Sequence, residues 1–133
     1  MFISSLLKTD YDPANSILKV VYPDLQDFLL VEIINATDKL VETVKTYNVK
    51  RILIDSSKTA VPAGNAEGRE ISLTLALGLM KTHVQKIARV ESFSADVEAT
   101  VQSHISYINQ TIYIPFLFKN FTDKAEALEW LKR

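Results

Sequence analysis

No cysteine occurs among the 133 residues, so structural disulfides, thiolate zinc sites, iron–sulfur clusters and thiol catalysis are excluded by composition. Glycine is almost as scarce, at three residues. Gly64-Asn-Ala-Glu-Gly68 is no phosphate loop, because the lysine and hydroxyl that follow a Walker-type glycine are missing. The two histidines, His83 and His104, have no acidic or histidine neighbour at i+3 or i+4. They do not assemble a metal site, and His83 reads as a helix end. No catalytic residue, metal or cofactor is expected.

Charge of one sign is also lacking. Fifteen basic and sixteen acidic residues are interspersed, for a formal net charge of −1, which leaves no electrostatic footprint for nucleic acid or an anionic membrane. The small cluster Lys45, Lys50 and Arg51 is explained by a solvated helix end followed by a strand entry. Uncharged apolar runs such as Phe28–Val31 are far short of a membrane span. Met1 to Asp10 has neither the basic region nor the long apolar stretch of a signal peptide. The expectation is a cytoplasmic protein with no nucleic-acid partner and no membrane span.

What the chain does have is the composition of a globular domain, 47% hydrophobic and 23% charged. The length fits one domain over residues 1–133. Tyr11-Asp-Pro-Ala-Asn-Ser16 carries turn chemistry between an extended start and the strand Ile17–Tyr22, which predicts an N-terminal hairpin. Leu25, Leu29, Ile33, Ala36, Leu40, Val44 and Tyr47 form one helical stripe, with Asp24 as the expected cap and an end near Asn48. Arg51–Ser56 reads as a buried strand, and residues 58–64 as a loop punctuated by Pro62 and Gly64. Residues 65–83 satisfy both strand and helix periods, but their length and their alanine and leucine content predict a helix.

Lys86–Ser92 is a further strand, and Ser94 caps a helix with Val97, Val101, Ile105 and Ile108 inward. Ile112–Phe118 reads as an edge strand because of Pro115. Asp123-Lys-Ala-Glu126 opens a last helix with Ala125, Leu128 and Leu131 inward. The resulting fold class is α/β, with a mixed sheet of about five strands, an N-terminal hairpin and about four helices. If the strands lie in sequential order, right-handed crossovers put every connecting helix on one face. The other face then calls for the hairpin or a partner.

Tyr47-Asn-Val-Lys-Arg-Ile-Leu-Ile-Asp55 and the ending Phe121-Thr-Asp-Lys-Ala-Glu-Ala-Leu-Glu-Trp-Leu131 resemble segments of the STAS/SpoIIAA-like family, the latter the closing helix of its small bacterial members. With the order of elements, the resemblance covers nearly the whole chain. It implies a SpoIIAA-like (βα)n domain and a non-enzymatic interaction or regulatory role exerted through protein contacts. It extends loosely to lipid-binding Sec14-type domains. The family's phosphorylatable serine is not carried over. Asp55-Ser-Ser-Lys58 has lysine in place of the motif's glycine and ends a strand about ten residues before the next helix.

Two surfaces remain as candidate sites. Asp55, Ser56 and Ser57, joined by Glu91 and Ser92 from the next strand, lie at strand carboxyl ends, where open α/β sheets bind ligands. They either orient a small or lipid ligand or bond loop amides. The helix over 65–83 is apolar on more than one face. Ile71, Leu75, Leu79 and Met80 are therefore read as buried under a neighbouring helix, as a homodimer or partner surface, or as the wall of an apolar ligand cavity.

Overall fold

A computed structural model describes residues 6–24, 28–59 and 65–133, the side chains of residues 65–67 aside. Its element order is β1 (Lys8–Asp12), β2 (Ile17–Val21), α1 (Leu30–Thr46), β3 (Arg51–Asp55), α2 (Asn65–Met80), β4 (Lys86–Val90), α3 (Ala95–Thr111), β5 (Leu117–Phe121) and α4 (Lys124–Lys132). The five strands form one sheet in the order β1-β2-β3-β4-β5. β1 is antiparallel to β2, and every later pairing is parallel. The described residues thus form an α/β domain with an N-terminal hairpin, a mixed five-stranded sheet and four helices.

The hairpin turn is held by Asp12, whose carboxylate accepts from the Ala14 amide (3.1 Å) and from Asn15 Nδ2 (2.9 Å). From β2 onward each strand is added beside the last. The three right-handed crossovers therefore stack α1, α2 and α3 in that order on one face. Across this face run the rows Leu18, Ile52, Ile87, Phe118 and Val20, Ile54, Arg89, Asn120. The main core lies here, with Leu18, Val20, Ile52 and Ile87 buried against Ile33, Leu40, Val44 and Leu79.

The opposite face is covered over β3, β4 and β5 by α4 rather than by the hairpin. The chain reverses after β5, and Ala127 settles among Ala88, Leu53 and Val90, with Leu131 beside it. Small side chains at the contact let the helix approach closely. Lys86 Nζ donates to the carbonyls of Trp130 (3.0 Å) and Arg133 (3.5 Å), capping the carboxyl end of this helix.

Several boundaries differ from the sequence reading. α1 begins at Leu30 rather than beside Asp24, because the Glu32 carboxylate reaches back to the Leu29 amide (2.8 Å) and fixes the cap there. Leu29 is consequently exposed instead of continuing the stripe. Leu25 and the loop residues Pro62 and Gly64 lie outside the described residues. α1 ends at Thr46, with Tyr47 as its cap, and the chain turns away at Asn48, whose φ of 52° is the left-handed conformation that asparagine tolerates. His83 lies beyond the end of α2, with Nδ1 2.6 Å from Asn48 Oδ1.

α3 runs on to Thr111, and the last strand starts only at Leu117. Pro115 therefore precedes β5, which is nonetheless the sheet edge. In α4 it is Ala127, not Ala125, that turns inward. None of the described helices is long and apolar enough to cross a membrane.

Candidate functional site

A cavity of about 690 Å³ lies between the sheet and the pair α2 and α3. Its size falls within the range of pockets that enclose a small organic ligand. The space exists because the facing positions carry short side chains: Gly68, Ser72 and Ala76 on α2, and Thr100 on α3. The walls are apolar. Ile71, Leu75 and Leu79 recur every four residues along α2, and Val97, Val101, Ile105 and Ile108 follow at steps of four, four and three on α3. Ile54 and Ile87 form part of the floor, with Ile114 and Phe116 at the end before β5.

Polar groups gather at the other end, past the carboxyl ends of β2 and β3. Tyr22 and Ser56 stand side by side there, since the Tyr22 amide donates to the Asp55 carbonyl (3.0 Å). Burial pushes the Tyr22 phenol up to about 12, so it remains a hydrogen-bond donor at any physiological pH. The segment is tied down by Thr59, whose hydroxyl donates to the Tyr22 carbonyl (3.2 Å). Ser92 donates in turn to the Thr59 carbonyl and accepts from the Ser94 amide (3.0 Å).

Arg89 lies in the cavity wall, 5% exposed. Its two terminal nitrogens reach Glu98 Oε1 at 2.8 Å and Oε2 at 2.7 Å, and Nη1 also donates to Asn120 Oδ1 at 3.3 Å. The Glu98 carboxylate takes a further hydrogen bond from the Ser92 amide at 2.8 Å. Burial raises the Glu98 carboxyl, but the Arg89 hydrogen bonds, the Ser92 amide and the guanidinium charge outweigh it and hold the group below its ordinary value. His104, buried at 7% exposure, completes the polar set from α3.

The five strand-end residues singled out in the sequence do not converge. Ser56 alone lines the cavity. Asp55 turns to the α4 face, where Oδ1 accepts from the Ser57 amide (3.0 Å) and hydroxyl (2.6 Å), and Oδ2 lies 4.0 Å from Lys124 Nζ. Glu91 is half-buried outside the cavity, and Ser92 is taken up by the loop hydrogen bonds described above. On α2, Ile71, Leu75 and Leu79 form cavity wall, while Met80 packs against the main core. α2 lies between α1 and α3, which accounts for apolar residues on more than one of its faces.

Sequence reasoning missed Tyr22, Arg89, Glu98 and Asn120. One signal was available. Arg89 interrupts the otherwise apolar end of β4, and a charge in a strand covered on both faces requires a partner. The described residues contain no cluster of three or more histidine and acidic side chains that holds a metal ion. Compared with known proteins, the chain matches no family model, no curated protein and no solved structure.

Proposed function

We propose that this protein is a non-enzymatic small-ligand-binding domain, taking an apolar or amphipathic molecule into the cavity between the sheet and helices α2 and α3. The observation that carries this reading is an apolar space of about 690 Å³ with its hydrogen-bonding groups collected mainly at one end. The candidate site thus moves from the strand-end acids to the neighbouring cavity. The STAS/SpoIIAA-like resemblance belongs to the same proposal. It is supported by the hairpin, the three strand–helix units and the closing helix, which occur in the expected order.

The test is a titration with the neutral solvatochromic dye Nile red, alongside thermal unfolding. Fluorescence enhancement and a raised Tm are expected for the wild type. Ala76→Phe and Thr100→Phe fill the space from opposite helices and should abolish both effects, whereas Asp55→Ala on the far face should leave them unchanged. A folded wild-type protein that neither brightens nor is stabilised by the dye would sink the reading.

A regulatory interaction role, acting on a protein partner or a second copy of the chain, finds separate support in the first turn of α1. Leu29, Leu30, Val31 and Ile34 are all exposed there. Sedimentation showing a strict monomer at high concentration would remove the homodimer form of that role.

A further inference from the structure

We propose that the cavity admits uncharged amphiphiles and rejects their ionised counterparts, with the ligand's polar head at Tyr22 and Ser56. This rests on the ligand-binding reading above and names the class of molecule bound. The inference follows from the charges and hydrogen-bonding groups that the wall presents.

Two lining residues carry a permanent charge, Arg89 and Lys119, and no described aspartate or glutamate lines the space. Lys119 does not bring its charge into the space. Strand alternation sends its side chain to the α4 face, where Nζ lies 5.3 Å from the Phe121 ring centroid. Arg89 looks like a carboxylate receptor but is already filled. Glu98 occupies both prongs of the guanidinium, and Asn120 takes a third hydrogen bond. The pair is neutral as a unit.

A second carboxylate brought beside that pair meets no net positive charge. It gives up its hydration without a compensating partner, which is the costly case for a buried ion. His104 is the remaining basic side chain in the wall, and it comes from α3 rather than from the Tyr22 and Ser56 end.

An uncharged head fares differently. The Tyr22 and Ser56 hydroxyls make no hydrogen bond to another described residue, and both side chains line the cavity at the same end. Each can donate to or accept from an alcohol, an amide or a carbonyl. The apolar remainder of the ligand then lies along the isoleucines and leucines of α2 and α3.

The experiment is displacement of Nile red from the full chain by dodecanol and, separately, by dodecanoate, at a pH of about 8.5, where a carboxylic acid of ordinary pKa is fully ionised. Dodecanol is expected to displace the dye at least tenfold more tightly than dodecanoate. Tyr22→Phe should weaken dodecanol about fivefold, the worth of one hydrogen bond. Glu98→Gln leaves the Arg89 charge unbalanced at the wall and should narrow the difference by tightening dodecanoate about tenfold. Equal or tighter binding of dodecanoate by the wild type overturns the proposal, whether or not the Glu98 variant folds. Dye binding with no displacement by either amphiphile also overturns it while leaving the cavity reading intact. Absence of dye binding removes both.

Discussion

Arg89 and Glu98 meet in a two-pronged ion pair that bridges β4 and the first turn of α3, with nitrogen–oxygen distances of 2.8 and 2.7 Å. Arg89 is the more deeply buried partner, its side chain 6% exposed against 18% for Glu98. Removing one partner leaves the other charge buried and uncompensated, and such losses run to roughly 3 kcal/mol. Arg89→Leu and Glu98→Leu should therefore each destabilise the protein by about that much in urea unfolding. The double replacement should cost far less than the sum, since two leucines leave no orphaned charge. Additive losses would mean that the two side chains do not act as a unit.

The same pair sets part of the acid sensitivity. The folded-state pKa of Glu98 lies below its ordinary 4.5, so the unfolded chain takes up this proton first as pH falls. The contribution is full above about 4.5 and is lost as pH drops from there through the folded value. Asp12, held low mainly by the Asn15 side chain, titrates in the same direction. Wild type and Glu98→Gln should be compared by thermal unfolding between neutral pH and about 3, from above the ordinary carboxyl value to below it. The stability gap between them is expected to narrow toward the acid end. A gap that stays constant contradicts the assignment.

Helices α1 and α2 touch at Gly78. A Cβ placed there would stand 2.9 Å from Val41 Cγ2 and 3.2 Å from Cγ1. Valine is stiff at χ1 and cannot swing aside at little cost. Gly78→Ala gains roughly 1 kcal/mol in helix propensity and loses about 1–3 kcal/mol to overpacking, so a net loss near 1 kcal/mol is expected. Adding Val41→Ala should relieve the clash, and the pair of changes should cost less than their separate effects combined. Stabilisation by Gly78→Ala alone would show that the helices have room to separate.

Most of the fold could be read from residue pattern. The Asp12–Asn15 turn, the Ser94 cap and the Val97, Val101, Ile105, Ile108 stripe are local features whose chemistry lies within a few residues of chain. Where the reading slipped, a local competitor won. Glu32 claimed the start of α1 from Asp24, and Ile112 to Phe116 extend beyond α3 without joining the sheet. The candidate site was less legible. The inner stripes of α2 and α3 were both identified, but nothing along the chain says that they face each other across a gap rather than a filled core.

The sequence by itself determined the α/β order, the absence of thiol chemistry, the hairpin and the choice of three stacked crossovers once the strands follow one another. These depend on periodicity, turn residues and handedness, all of which act over short spans of chain. Only the tertiary structure decided that α4 covers β3, β4 and β5 on the far face, that Asp55 turns away from Ser56, and that Arg89 finds Glu98 and Asn120. It also opened the cavity, because an empty space is a deficit of volume between distant segments: Ala76 on α2, Thr100 on α3 and Ile87 on β4 must be brought together before the gap among them exists.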